Sequence, residues 1–155
     1  MRQPASIPRP GCQRRALSHQ PPPWVDFDTT YLLTVCATPR FRDQLCRPPV
    51  PEEVRRWLDM HDARANWKWI ACVVMPDHVH VLATIPPTTS IPGIITPRKR
   101  YLARMHGVRW QRDFFERRLR NDEHVEMMRD YLRQNPVRSG LVDTPDEWPF
   151  FWSAW

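Results

Sequence analysis

The sequence predicts an α+β fold, a single-domain antiparallel sheet flanked by helices. Apolar runs rich in β-branched residues, which are typical of strands, occur at residues 30–37 and 67–85. Between and after these runs, apolar residues recur at helical spacing. The resulting order is strand, helix, strand, strand, helix, strand, helix, which favours helices packed on one or both faces of a sheet. The 155 residues are enough for one domain with a substantial core.

The first half of the chain contains an arm, a strand and a helix. Residues 1–23 are rich in proline and arginine without periodicity, so we expect an N-terminal arm before a domain at residues 24–155. A strand is predicted at residues 30–37. A helix should begin near Pro51, because proline suits the first helical turn. Its apolar stripe includes His61, which we interpret as a packing histidine rather than a ligand, and it ends at Ala65.

The second half begins with a hairpin over residues 67–85, followed by a proline-rich loop at residues 86–97. A basic helix is predicted over residues 98–106, with Gly107 as its stop. Residues 110–120 mix aromatic and arginine side chains and are interpreted as the final strand and its approach. Asn121 or Asp122 should cap the last helix. That helix should end near Asn135, because the residue before a proline disfavours helical geometry.

Composition excludes some classes of protein. No apolar run approaches the roughly 18 residues of a membrane span, and the N-terminus lacks the apolar segment of a secretory signal. We therefore expect a cytoplasmic, nucleoid-associated protein. The four cysteines have wide, irregular spacings without a CxxC pair, which argues against a zinc ribbon. Cys36 and Cys72 lie in strand-like runs and are interpreted as small buried apolar residues.

The formal net charge is +6 and comes almost entirely from arginine, since Lys68 and Lys99 are the only lysines. Arginine suits bidentate contact with phosphate and stacking on bases. Genomic base composition that favours arginine codons explains the excess equally well. Charge alone therefore does not establish a nucleic-acid partner.

The most informative stretch is residues 72–82, where two apolar segments meet at a Pro-Asp turn. His78 and His80 follow the turn at alternate positions, so in a strand they point to the same face. Two neighbouring imidazoles on a rigid strand form half of a metal site. Farther along, Tyr131 and Asn135 are spaced i, i+4 and share one face of the last helix.

If that helix packs on the histidine face, two imidazoles and an amide oxygen could bind a divalent ion beside a phenol. A metal polarises phosphoryl oxygens, and a tyrosine can then attack a phosphodiester. Each signal is modest alone, because an isolated His-x-His is more often structural and a tyrosine at a helix edge usually packs. Their combination favours the catalytic interpretation over the structural one.

At this point the chain resembles the REP-associated tyrosine transposases, within the single-tyrosine HUH transposase superfamily, where HUH stands for His-hydrophobic-His. The resemblance covers nearly the whole chain. It is carried by MPDHVH at 75–80, WQ at 110–111, FF at 114–115, RLR at 118–120, DY at 130–131, NPVR at 135–138, GLV at 140–142, WP at 148–149 and SAW at 153–155, with RRALSH at 14–19 and PWV at 23–25 in the arm.

This resemblance implies a ferredoxin- or RRM-like HUH endonuclease fold and a transposase activity. His78 and His80 would hold Mg²⁺ or Mn²⁺ with Asn135 as a third ligand. Tyr131 would be the nucleophile on single-stranded DNA that folds into hairpins, leaving a 5′-phosphotyrosine and a free 3′-hydroxyl. Where relatives often carry a histidine before the Arg-Leu-Arg run, this chain has Arg117, which affects expected substrate contacts more than chemistry.

Basic and aromatic residues in three regions are the expected DNA contacts. They are Arg14, Arg15, Lys99, Arg100, Arg104, Trp110, Arg112, Phe114, Arg117, Arg118 and Arg120. An alternative is a domesticated protein of the same fold that grips structured DNA without cutting it. A third interpretation has no functional metal, with both histidines in ordinary hydrogen bonds. The sequence leaves open the target DNA, cleavage versus rejoining, and whether the protein is a monomer or a homodimer.

Overall fold

A computed structural model describes residues 28–154. The five strands form one sheet in the order β4-β1-β3-β2-β5, and each neighbouring pair is antiparallel. The α+β fold class is therefore confirmed, whereas the predicted arm lies outside the described residues. The elements are β1 (Thr29–Cys36), α1 (Val50–Ala63), β2 (Lys68–Met75), β3 (His78–Ile85), α2 (Ile91–His106), β4 (Phe115–Arg118), α3 (Asp122–Arg138), a 3₁₀ turn (Pro145–Glu147) and β5 (Phe151–Ser153).

Alternation along the central strand β3 separates two hydrophobic cores. Val79 and Val81 point to one face and pack with apolar residues of α1 and α2. Leu82 points to the other face and packs with Leu132 of α3. Because residues at alternate positions share a face, the histidines of β3 lie on the α3 side of the sheet. The sheet thus presents its histidines to the helix that carries Tyr131.

The hairpin and first helix match the prediction closely. The strands β2 and β3 pair in register from Met75 opposite His78, with an irregularity near Trp69. In α1 the packing interpretation of His61 holds, since this half-buried side chain has its Nδ1 atom 2.8 Å from Asn66 Nδ2. Ala65 does not belong to the stripe, because it lies beyond the end of the helix, is exposed and has φ 57.

The second helix is longer than predicted. It begins at Ile91, and the hydroxyl of Ser90 caps it by accepting a hydrogen bond from Gly93 N at 3.1 Å. The expected loop at residues 86–97 is therefore wrong in its second half. Ile94 and Ile95 are buried in the core, and this burial outweighs the lost hydrogen bond of Pro97 inside the helix. Gly107 ends the helix in the left-handed region, as expected.

The last helix also continues past its predicted end. The cap is Asn121, whose side chain accepts a hydrogen bond from His124 N at 3.0 Å. The helix then runs through Pro136 to Arg138, so the predicted end near Asn135 is wrong. Asn135 and Pro136 are both buried, and this packing overrides the local preference of a residue that precedes proline.

The sheet has a fifth strand that the sequence did not predict. The predicted segment at residues 110–120 contains the edge strand β4. Strand β5 comes later in the chain and forms the opposite edge of the sheet, where it pairs with Ala71 to Val73 of β2. Only three residues long, β5 carries too short a pattern to be recognised. Cys36 and Cys72 are buried, as interpreted. Among residues 28–154, no helix has the length and apolar character needed to cross a membrane.

Candidate active site

Two histidines stand side by side at the start of β3. The ring centroids of His78 and His80 are 4.7 Å apart, and the rings meet nearly edge to face at 76°. His80 is 9% exposed and His78 is partly buried. The shared face predicted from their alternate spacing is therefore present in the structure.

His78 is oriented by the carboxylate that precedes it. Its Nδ1 atom lies 2.7 Å from Asp77 Oδ1. The other carboxylate oxygen accepts hydrogen bonds from Arg40 Nε at 2.7 Å and from the backbone N–H of Phe41 at 2.8 Å. Burial alone would raise the pKa of Asp77, but these hydrogen bonds outweigh burial and lower the pKa to about 2. The anionic carboxylate therefore accepts a hydrogen bond from His78 Nδ1–H, which leaves Nε2 with a free lone pair.

His80 is held from the neighbouring strand. Thr34 pairs with His80 across the β1–β3 ladder, and its Oγ1 atom lies 2.8 Å from His80 Nδ1. Burial, together with the charges of His78 and Arg40, lowers the pKa of His80 to about 3. Burial also lowers the pKa of His78, although the Asp77 carboxylate partly offsets this effect. Both rings are therefore neutral at physiological pH, which is the form that binds metal ions.

Helix α3 brings a tyrosine to the histidine pair. Leu132 is fully buried and anchors the helix against the sheet. The preceding residue, Tyr131, is 40% exposed, and its ring centroid lies 6.5 Å from that of His80. The guanidinium of Arg138 lies 4.8 Å from the centre of the Tyr131 ring. Asn135, one turn along the helix from Tyr131, is 8% exposed.

The donor set fits a divalent ion by its chemistry. Within residues 28–154, no group of three His, Cys, Asp or Glu side chains is placed to hold a metal. Two neutral imidazoles remain, each with Nδ1 in a hydrogen bond, and the buried amide of Asn135 lies on the facing helix. Imidazole nitrogen and amide oxygen are both accepted by first-row divalent ions, and Asp77 supplies the outer hydrogen bond that such ligands usually receive.

Two of the expected DNA contacts, Lys99 and Trp110, also have hydrogen-bond partners within the protein. Lys99 Nζ donates hydrogen bonds to the carbonyls of Gln111 and Arg112 at 2.8 and 2.9 Å. Trp110 is half-buried, and its Nε1–H donates to Lys99 O at 3.0 Å. These bonds fasten α2 to the segment before β4, on the sheet face opposite the histidines.

Phe114 requires a correction, because it is 4% exposed and belongs to the core that α1 and α2 cover. A ring in this position cannot stack on a base unless the core opens. Its neighbour Phe115 pairs with Thr34 and so lies on the histidine face, only partly buried. We therefore remove Phe114 from the proposed DNA surface.

The exposed arginines occupy both sides of the sheet. Arg117 pairs with Leu32, which lies on the α3 side, whereas Arg118 pairs with Tyr31 on the opposite side. Arg14 and Arg15 lie outside the described residues. The remaining expected contacts, all exposed, are Arg100 and Arg104 on α2, Arg112 before β4, and Arg120 after it.

Several residues around the site were missed at the sequence level. Asp77 was interpreted only as part of a turn, although its position next to His78 is the pattern of a carboxylate that orients a ligand. Thr34 could be found only from the strand register. Arg40 and Phe41 lie in a loop whose local sequence gives no indication of the contact with Asp77. Arg138 was noted in a motif but given no role.

The fold and site define a class of protein in which a sheet carries a histidine pair facing a helix with an exposed tyrosine. The profile of the family described as "Transposase IS200 like" matches residues 29–135, from the first residue of β1 to Asn135. The chain belongs to this family.

Three known proteins are similar to this chain. The chain is 28% identical over 99 residues to a Haemophilus influenzae protein provisionally named a REP-associated tyrosine transposase, covering 52% of this chain and 56% of that protein. It is 31% identical over 83 residues to the REP-associated tyrosine transposase of Escherichia coli, covering 52% and 50%. The chain thus spans about half the length of these curated relatives. A solved structure of a REP-associated tyrosine transposase bound to a REP hairpin superposes with a TM-score of 0.69 and 25% identity, covering 81% of this chain and 76% of that one.

Proposed function

We propose that this protein is a metal-dependent single-stranded DNA endonuclease and strand transferase that acts on hairpin-forming DNA. The reaction passes through a covalent 5′-phosphotyrosine on Tyr131. The observation that carries this proposal is the position of Tyr131, an exposed phenol 6.5 Å from the ring of a buried, neutral histidine. Exposure lets the phenol reach a substrate, and the neighbouring histidine pair distinguishes Tyr131 from other exposed tyrosines.

Metal binding and the orientation of the metal ligands are assigned to different residues. His78, His80 and Asn135 would hold Mg²⁺ or Mn²⁺, and the bound ion would polarise the phosphoryl oxygens and offset developing charge. Asp77 and Thr34 hold the two rings through their Nδ1 atoms, so that Nε2 of each ring would face the ion. The carboxylate of Asp77 determines which ring nitrogen of His78 is available, and burial keeps both imidazoles neutral.

Tyr131 performs the covalent step. Its Oη atom forms a bond to phosphorus while the bond from phosphorus to the 3′-oxygen breaks. The phenolic proton is released to solvent, and the departing 3′-oxygen takes one up, so protons balance. The guanidinium of Arg138 lies over the Tyr131 ring, where its positive charge would stabilise the negative charge that develops on the phosphate in the transition state. Attack by a 3′-hydroxyl on the phosphotyrosine reverses the step and joins strands without an external energy source.

Folded single-stranded DNA is the substrate class we propose. Support comes from the structural relative that is bound to a REP hairpin. Exposed arginines on β4, together with Arg14 and Arg15 of the arm, would contact phosphates without reading sequence. Binding should therefore weaken steeply as salt rises.

A denaturing gel tests the proposal. The protein is incubated with labelled single-stranded hairpins and Mn²⁺, and a slowly migrating protein–DNA adduct is expected. Tyr131→Phe and EDTA should each abolish the adduct, while Tyr131→Phe keeps hairpin binding. Tyr101→Phe is the matched control, because Tyr101 is similarly exposed at 39% but lies on α2, across the sheet. An adduct that survives Tyr131→Phe contradicts the assignment, and tight binding without any adduct indicates the domesticated binder.

A further inference from the structure

Phe41 combines two unfavourable features in one residue. Its side chain is 94% exposed, the largest value among the exposed large apolar residues of the described chain. Its backbone also has φ 64, in the left-handed region that bulky side chains rarely adopt. The ring belongs to neither hydrophobic core, so its exposure does not help the fold. A strained, exposed aromatic residue in a loop therefore points to a use outside the fold.

The loop holds Phe41 at a fixed place beside the candidate active site. The Phe41 N–H donates to Asp77 Oδ2 at 2.8 Å, and the other oxygen of this carboxylate binds His78 at 2.7 Å. Gln44 N and Leu45 N both donate to the carbonyl of Pro76, at 2.9 and 3.2 Å. A single carboxylate thus separates the Phe41 backbone from a candidate metal ligand.

Positively charged side chains lie near the Phe41 ring. The guanidinium of Arg40 lies 5.8 Å from the ring centre. Residues close to Phe41 in the sequence line an open groove of about 340 Å³. The residues that line it are Pro39, Arg42, Asp43, Gln44, Arg47 and Arg109. Three of these six side chains are arginines, and the single carboxylate, Asp43, is already engaged by Cys46 N and Arg47.

An exposed ring beside a groove rich in arginine matches the chemistry of one nucleotide. The ring offers a stacking surface for a base, and the guanidinium groups offer contacts for its phosphates. A protein partner or a lipid surface would use a wider apolar patch, and Phe41 stands alone among charged and polar neighbours. The geometry therefore favours single-stranded nucleic acid.

We propose that Phe41 is a stacking platform for an unpaired base of the DNA strand that passes the active site, with its phosphate in the adjoining arginine-lined groove. This inference rests on the proposed function and adds a binding subsite to it. Base pairing would hide the face that Phe41 needs, so the subsite selects single-stranded DNA next to the phosphodiester presented to Tyr131. The Asp77 carboxylate binds both the Phe41 backbone and the His78 ring, so it fixes the platform relative to this candidate metal ligand.

The test uses fluorescence in EDTA, so that it does not depend on catalysis. The probes are DNA hairpins with oligo(dT) flanks that carry one 2-aminopurine at successive flank positions. With the wild-type protein, stacking should quench the fluorescence strongly at one position. Phe41→Ala should lose this quench and bind the flanked hairpin on the order of 10-fold more weakly. Phe41→Tyr should retain both properties, because its ring still stacks.

Two control variants separate stacking from folding. Phe41→Gly should lose the quench yet unfold at the same or a higher temperature, because glycine adopts φ 64 without strain. Tyr101→Ala removes an aromatic ring that also lies beside an arginine, with Arg98 at 4.9 Å, but across the sheet, and it should change neither quench nor affinity.

Other outcomes overturn the inference. If Phe41→Ala keeps the wild-type quench, or no flank position is quenched, Phe41 is not the platform. The adduct assay is a separate readout. An adduct on Tyr131 with no effect of Phe41 leaves the proposed function intact and removes the subsite. A Phe41-dependent quench without any adduct keeps the subsite and removes the nuclease.

Discussion

Replacing Asp77 with asparagine should disable the candidate metal site while leaving the fold largely intact. In the native protein Arg40 Nε and Phe41 N both donate to Oδ2. In Asp77→Asn these two donors require the amide oxygen, so the amide NH₂ must face His78. The NH₂ then donates to Nδ1, which places the ring proton on Nε2 and removes the lone pair that would bind the metal.

The magnitude on stability follows from the pKa of Asp77, which is about 2 against an ordinary value of 3.8. A difference of this size corresponds to about 2 kcal/mol of stability at neutral pH. Solvent reduces it, because the Arg40 side chain is 40% exposed, so we expect a loss of about 1 to 2 kcal/mol. Loss of a ligand-orienting hydrogen bond should lower Mn²⁺ affinity roughly 10- to 100-fold.

The pH dependence has a defined sign. The folded pKa lies below the unfolded one, so the carboxylate stabilises the metal-free protein above pH 3.8, and this contribution is lost as pH falls towards about 2. The stability difference between wild type and Asp77→Asn should therefore be constant near neutral pH. It should shrink once the pH falls below about 4.

Isothermal titration with Mn²⁺ and urea unfolding measure the two effects. Asp62→Asn is the matched control, since Asp62 also joins a cation, Lys68, to a backbone N–H, that of Trp69, but touches no histidine of the site. It should leave Mn²⁺ affinity unchanged. Wild-type Mn²⁺ affinity in Asp77→Asn would refute the orienting role of the carboxylate.

Three further substitutions test the surroundings of the site. Thr34→Val removes the hydroxyl at His80 Nδ1 and should lower the free energy of unfolding in urea by about 1 kcal/mol. It should also weaken Mn²⁺ binding in titration, and unchanged Mn²⁺ affinity would contradict the role of Thr34. Leu132→Ala changes a fully buried residue of α3 that faces the sheet, and it should lower the free energy of unfolding in urea by about 2 to 5 kcal/mol. A loss below about 1 kcal/mol would mean that this residue does not anchor α3. Asn121→Ala should lower stability by about 1 kcal/mol through the lost cap, measured by thermal unfolding, with no change in hairpin affinity.

Local patterns predicted the central part of the fold and the candidate site. The hairpin followed from β-branched runs, and the shared face of His78 and His80 followed from the two-residue repeat of a strand. Tyr131 and Asn135 were placed by helical spacing. These features depend on residues close in sequence, so one chain was sufficient to predict them.

Features that depend on distant contacts were missed. The first turns of α2 are stabilised by burial of Ile94 and Ile95, which overrides the prolines around them. Phe114 was placed on the surface because the pairing of β4 with β1 decides which phenylalanine points inward, and a one-residue shift exchanges the two. The strained conformation of Phe41 depends on Asp77, which is 36 residues away in the sequence.

Identifying the residue that becomes linked to DNA tests the proposed chemistry most directly. The adduct formed with a hairpin and Mn²⁺ would be digested with protease and nuclease, and its peptides mapped by mass spectrometry. We expect the nucleotide mass on the peptide that contains Tyr131, attached through a phosphotyrosine. A nucleotide attached to any other residue, such as Tyr101 or Tyr31, would contradict the assigned nucleophile and the role of the histidine face.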